Sequence, residues 1–187
     1  MSEWPSAAGV CVWLTGLSGA GKSSIANALA ATVRDAGREV TVLDGDAVRA
    51  TLSKGLGFGK ADRDLNVARI GFVAREIVRH GGLVVCATIS PYRAARAAVR
   101  AAIPVGHFVE VFVDTPLAIC EQRDAKGLYA RARRGELRHV TGLDDPYEPP
   151  LDAELTLTSG SETAADHAMR LVAFLTAQGV VCAGDPI

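Results

Sequence analysis

Residues 10–24 read VCVWLTGLSGAGKSS, an apolar run that breaks into a glycine-rich turn closed by lysine and serine. Gly16-x-x-x-x-Gly21-Lys22-Ser23 matches the phosphate-loop (P-loop) pattern in the context it requires, a strand before and a helix after. In such a loop Gly16, Leu17, Ser18, Gly19, Ala20 and Gly21 turn backbone N–H groups inward around phosphate oxygens, and the helix adds its positive end. Lys22 is placed to reach the β- and γ-phosphates, and the Ser23 hydroxyl to ligate Mg²⁺. The stretch predicts a nucleotide site. It leaves open whether the triphosphate is hydrolysed as a switch or motor, or handed to an acceptor.

Around this stretch, short apolar runs alternate with longer amphipathic ones. Val10–Thr15, Val40–Asp44, Leu83–Thr88, Phe108–Val113 and Ala153–Leu157 are near-continuous in apolar residues, as parallel strands covered on both faces should be. Helices are predicted over Lys22–Ala36, Arg63–His80, Tyr92–Ala102, Pro116–Arg123 and Thr163–Gln178. In the second, Val67, Ile70, Val73, Ala74 and Ile77 recur at three- and four-residue spacing. Gly37, Gly81 and Gly179 stand where helix C-caps belong. This alternation predicts one α/β domain over 1–187, a three-layer α/β/α sandwich around a five-stranded parallel sheet. Ser53–Asp62 and Asp124–Pro150 fit neither period and are expected as irregular segments at the carboxyl end of the sheet, where such folds bind ligands.

Composition narrows the function. With 187 residues, 49% hydrophobic and 22% charged, the chain reads as an ordinary globule with a full core. A net charge of −1 makes no overall case for nucleic acid or an anionic membrane, so any bound anion must be held by a few placed cations. Cysteines 11, 86, 120 and 182 show no CxxC spacing, and Cys11 and Cys86 fall in strand-like runs where a reduced, buried thiol is expected. No signal-like segment opens the chain, and no apolar run approaches the roughly 18 residues of a membrane span. The expectation is a cytoplasmic protein.

The second strand ends in LDGDAVR, residues 43–49. Asp44 can cap the next helix or serve the site. Asp46 is placed to accept a proton from an attacking hydroxyl or to hold Mg²⁺ through water. Arg49 and Arg63 can grip an anionic acceptor or be solvated surface charges, and Asn66 shares a helix face with Arg63. Phe58, set among glycines, is either a loop anchor tucked into the core or a stacking platform for a flat ring such as adenine. In TISPYR, residues 88–93, Ser90 can cap a helix begun by Pro91, contact a ligand or carry a phosphate covalently. An acceptor site with its own base favours phosphoryl transfer over hydrolysis, and no guanine-reading NKxD segment is present.

GLSGAGKSS, DGDAVR, LGFGKADRDLN, TISPYR, CEQRDAKGLYARARRGEL and VTGLDDPYEPP follow one another as they do in adenylylsulfate (APS) kinases, and the chain resembles that family from about Val12 to Leu157. The resemblance implies ATP- and Mg²⁺-dependent phosphorylation of the ribose 3′-hydroxyl of adenosine 5′-phosphosulfate, giving 3′-phosphoadenylyl sulfate (PAPS) and ADP. It further implies Asp46 as the catalytic or Mg²⁺-organising aspartate, Arg49, Phe58, Arg63 and Asn66 as acceptor-binding residues, and Ser90 as the match to a serine assigned as a phosphoserine intermediate in bacterial members. Direct in-line transfer needs no such relay. A mobile lid at about 123–145 would bring Arg123, Lys126, Arg131, Arg133 and Arg134 over ATP and exclude water. Some of those arginines could equally be solvated. A homodimer and a functional link to an ATP sulfurylase are the partners the resemblance allows.

The chain departs from the family's pattern at three positions. Val140, on the acceptor side, stands in place of a second phenylalanine, Ala68 in place of the first arginine of a pair, and Gly59 in place of a serine. Fifteen residues precede Gly16, fewer than the N-terminal arm of many members. These departures keep two alternatives open: a related kinase acting on another nucleotide-linked acceptor, and a non-catalytic ATP-binding module. Lys22, Ser23 and Asp46 together argue against the second.

Overall fold

The computed structural model describes residues 9–160 and 162–180; Cys182 lies outside them. Five parallel strands, β1 (Val10–Thr15), β2 (Val40–Asp44), β3 (Leu83–Ala87), β4 (Phe108–Asp114) and β5 (Leu155–Thr158), form one sheet in the order β2-β3-β1-β4-β5. The helices are α1 (Lys22–Asp35), α2 (Gly45–Ala50), α3 (Lys60–Arg79), α4 (Arg93–Ala102), α5 (Leu117–Arg123), α6 (Leu128–Arg133) and α7 (Ala164–Ala177). None of them is long and apolar enough to cross a membrane.

The alternation along β1 shows why the runs are continuously apolar. Val10, Val12 and Leu14 join a core with Ile25, Leu29 and Val33 of α1 and Leu171 and Leu175 of α7. Cys11 and Trp13 point the other way, into a second core with Ile70 and Ala74 of α3 and Val99 of α4. Both faces are covered, so both phases of the strand must be apolar. α3 and α4 approach closely at Gly71, where a Cβ would lie 2.6 Å from Val99 Cγ2.

Several boundaries differ from expectation, each for a local reason. α3 starts three residues early, at Lys60, because Asp62 in its first turn accepts the Gly57 N–H (2.9 Å) and folds the preceding loop onto the helix. β5 is a four-residue edge strand that begins where Leu155 pairs with Val111. Glu154, expected within it, uses its carboxylate to hold Arg100 (2.5 and 2.8 Å) and the Glu110 N–H (2.6 Å). The segment Asp124–Pro150 is not wholly irregular: it contains α6, whose first-turn N–H groups at Tyr129 and Ala130 are capped by the Asp124 carboxylate (3.1 and 2.9 Å). Ser90 does not cap α4. Its φ is +39°, α4 begins at Arg93, and the Arg93 N–H is met instead by Glu148 Oε2 (2.8 Å).

Candidate active site

The ends of β1, β2 and β3 and the segments that follow them bring the expected residues together. The turn after β1 needs its glycines: Gly16, Gly19 and Gly21 have φ of +152°, +75° and +106°, and a Cβ on Gly16 would lie 2.6 Å from the Val113 carbonyl oxygen. Gly21 is the N-cap of α1. Lys22, on the first residue of α1, folds back into the loop and donates to the carbonyls of Gly16 (2.9 Å) and Leu17 (2.6 Å). Burial lowers its pKa to about 8, against the opposing pull of the Cys120 and Asp44 charges.

Ser23 Oγ donates to Asp44 Oδ2 at 2.5 Å, while Asp44 Oδ1 accepts the Asp46 N–H at 2.9 Å and caps α2. Asp44 therefore caps α2 and also holds the Ser23 hydroxyl. It, rather than Asp46, is the carboxylate beside Ser23. Asp46 stands one residue into α2 with an exposed carboxylate, and Lys126 reaches across to pair with it.

The acceptor side is built on α2, the following loop and α3. Phe58 is 55% exposed, so it is not a core anchor. The Arg49 guanidinium lies 4.6 Å from its ring centroid and that of Arg63 5.9 Å. Arg49 donates to the Gly57 carbonyl (2.9 Å). Arg63 is buried and donates to the carbonyls of Phe58 (2.6 Å) and His139. Burial, then the neighbouring Arg63 cation, lowers the Arg49 pKa; burial lowers that of Arg63 although Asp145 opposes it. Two cations held this way favour a bound anion. One turn along α3, Asn66 Oδ1 is buried without a hydrogen-bond partner, as is Thr141 Oγ1 two residues past His139.

Val140 and Ser90 are placed otherwise than expected. The Val140 side chain is 3% exposed and packs into the core shared with α1, rather than standing open beside Phe58. Its N–H and that of His139 are fixed by the Asp144 carboxylate (2.6 Å each). The Ser90 hydroxyl is buried, accepting from Trp13 Nε1 and donating to Thr15 Oγ1 (3.0 Å each). Of the lid cations, Arg123 donates to the Gly19 carbonyl (3.2 Å) and to Ser159 Oγ (3.3 Å), beside the phosphate loop. Arg131 and Arg134 pair with Glu136, and Arg133 with Glu121, so these three are tied to the lid and to α5.

Three residues not singled out from the sequence complete the site's frame. Tyr129 on α6 is buried and donates its hydroxyl to the Ser18 carbonyl (2.9 Å). Tyr147 stacks on Phe112 (5.9 Å) and shares a hydrogen bond with Thr15 Oγ1 (2.9 Å) at the end of β1. Arg96, buried, joins Glu110 (2.6 Å) to the carbonyls of Ser90 (2.6 Å) and Glu148 (2.7 Å). Only the aromatic character of the tyrosines, within otherwise polar segments, was a signal for any of these.

The sequence profile of the family described as adenylylsulphate kinase matches residues 8–158. An adenylyl-sulfate kinase of Rippkaea orientalis is 54% identical over 163 residues, covering 87% of this chain and 89% of the relative. One from Gloeothece citriformis is 60% identical over 147 residues, covering 79% and 82%. Among solved structures, the APS kinase of Mycobacterium tuberculosis, in complex with AMPPNP and APS, superposes with a TM-score of 0.86 at 42% identity, covering 90% of this chain and 98% of that one.

Proposed function

The chain belongs to the adenylylsulphate kinase family, and we propose that it transfers the γ-phosphoryl group of ATP to the ribose 3′-hydroxyl of adenosine 5′-phosphosulfate, releasing PAPS and ADP. The observation that carries this reading is the acceptor side: an exposed Phe58 ring flanked by Arg49 and Arg63, with unpartnered oxygens on Asn66 and Thr141. It suits a ligand that combines a flat base, anionic groups and hydroxyls.

Each residue then has one task. The N–H groups of residues 16–23 and the Lys22 ammonium hold the ATP phosphates, and Arg123 stands next to them. Ser23 Oγ and Asp44 Oδ2 are hard oxygens side by side, a donor set that fits Mg²⁺, which takes one or two carboxylates together with phosphate oxygens. When bound, the ion would neutralise charge on the β- and γ-oxygens. Asp46 orients the attacking hydroxyl and takes its proton as the new O–P bond forms and ADP leaves. Lys126, paired with Asp46, would bring a cation to the transferring group. Direct transfer is favoured over a relay through Ser90, whose hydroxyl is buried and hydrogen-bonded to Trp13 and Thr15.

The acceptor is a mixed anhydride of sulfate and an adenylyl group, so an adenylyl transfer to sulfate has to supply it, which is the link to an ATP sulfurylase. The free thiols Cys11, Cys86 and Cys120 support a cytoplasmic setting.

The test is ADP release from Mg-ATP with APS and with a panel of other nucleotide-linked acceptors, using Lys22→Ala as the blank. Turnover confined to APS is the expected result. Turnover with another acceptor in its place would keep the phosphate loop's role and overturn that of the acceptor pocket, and ATP binding without ADP release would make the chain a binding module.

A further inference from the structure

His139 stands where the lid meets the acceptor side, and its backbone is held in an uncommon shape. Its φ of +61° lies in the left-handed region that glycine and asparagine adopt most readily. Both of its backbone groups are fixed: the N–H donates to Asp144 Oδ2 (2.6 Å) and the carbonyl accepts from Arg63. The ring is tied as well, with Nδ1 3.3 Å from Asp145 Oδ1, yet 59% of the side chain is exposed. A residue pinned in this conformation with its ring turned outward does not serve the core, and such outliers cluster at ligand clamps.

Arg63 shows what the ring stands beside. Its Nε donates to the Phe58 carbonyl (2.6 Å) and its Nη2 to that of His139, two adjacent donors of one guanidinium fork. The two carbonyls therefore lie side by side, and Phe58 and His139 spread from a common anchor as two exposed flat rings. Asp145 closes the frame, with one carboxylate oxygen 3.8 Å from Arg63 Nε and the other beside the imidazole. The unpartnered buried oxygens belong to the same frame: Asn66 is three residues after Arg63, and Thr141 two after His139. Val140 offers no surface here, because its side chain lies in the core. Bases stack on histidine as they do on phenylalanine.

We propose that the His139 imidazole packs against the base of the acceptor together with Phe58, and so sets how tightly the acceptor is held. The proposal rests on the reading of this cleft as the site of a nucleotide-linked acceptor.

Steady-state kinetics of the full chain separates the ring from the backbone, with ATP affinity as the check that each variant is folded. Asparagine and glycine suit the backbone at position 139 at least as well as histidine, but bring no ring. His139→Asn and His139→Gly are expected to raise the acceptor KM roughly fivefold, with kcat and the KM for ATP little changed. His139→Phe should stay close to the wild type. Adenosine 5′-monophosphate and ribose 5-phosphate, used as competitors, read the same contact without its depending on the transfer step. The inhibition constant of the first should rise in step with the acceptor KM, and that of the second, which has no base, should not. An acceptor KM unchanged in both His139→Asn and His139→Gly overturns the proposal. So does a His139→Phe variant no better than His139→Gly, or a rise shared by both competitors. A wild type that releases ADP with no acceptor overturns the phosphoryl-transfer reading itself; direct binding of the two competitors to wild type and His139→Gly then still decides whether His139 meets the base.

Discussion

Lys22 is a residue whose protonation nucleotide binding should change. It is buried against two carbonyls, and burial lowers its pKa to about 8; a triphosphate beside it would favour the charged form and raise that value. ATP binding should therefore take up a proton between about pH 8 and 10, and affinity should fall as pH rises through that window. Calorimetry in buffers of different ionisation enthalpy reads the uptake directly, and Lys22→Met should abolish it. For Asp46→Asn we expect kcat to fall on the order of 10²-fold or more with the KM for ATP little changed, since the carboxylate acts on the attacking hydroxyl. Phe58→Ala should instead raise the acceptor KM, roughly fivefold or more for about 1 kcal/mol or more of lost stacking. Residue type and spacing made Lys22 legible in the sequence, whereas Arg49, Phe58, Arg63 and Asn66 were singled out as an acceptor group by the family resemblance. Type and spacing did not separate Asp44 from Asp46, because which carboxylate meets Ser23 depends on how β2 hands over to α2. Nor did they show that Val140 turns inward, a consequence of Asp144 fixing its backbone.

Among the elements, the lid is the one the sequence described least well. Its glycines and charges read as irregular chain, whereas α6 is capped by Asp124 and anchored by the Tyr129 hydroxyl on the Ser18 carbonyl. Burial, with nearby negative charges, raises the Tyr129 pKa, so the hydroxyl remains a donor across the working pH range. Tyr129→Phe removes one hydrogen bond, about 1 kcal/mol net, and hydrogen exchange across residues 124–134 should quicken roughly fivefold. Unchanged exchange would place the anchor elsewhere. The lid arginines could not be sorted from sequence, because their partners Glu121 and Glu136 are fixed only when α5 and α6 fold against each other. By contrast β1 and β2 matched residue for residue; β1 is covered on both faces and so nearly all apolar, while β2 is an edge strand in which only Val40 is buried.

At the scale of the whole molecule, one buried ionic cluster joins the acceptor wall to the sheet. Arg96 ties Glu110 on β4 to the Ser90 turn and the Glu148 segment, and Arg100 and Glu154 extend the cluster to the edge strand. Arg96→Met leaves Glu110 without that partner in the interior, which should cost about 3–5 kcal/mol. For a chain of this size the melting temperature should drop by about 10 °C or more, a shift differential scanning calorimetry resolves. A loss under about 2 °C would mean that Glu110 is served well enough by Arg100 alone. The cluster was invisible in the sequence because its members come from four segments and follow no shared period.

The indole of Trp13 lies in the core with its N–H on the Ser90 hydroxyl and its ring 5.9 Å from Phe108. That places a natural chromophore, shielded from water, one hydrogen bond from the turn that flanks the acceptor site. With Trp4 replaced by Phe, emission from the chain would come from this single ring, blue-shifted at rest and displaced by any shift of Ser90. Occupancy of the acceptor site could then be followed in real time by light, with no label attached and no turnover required.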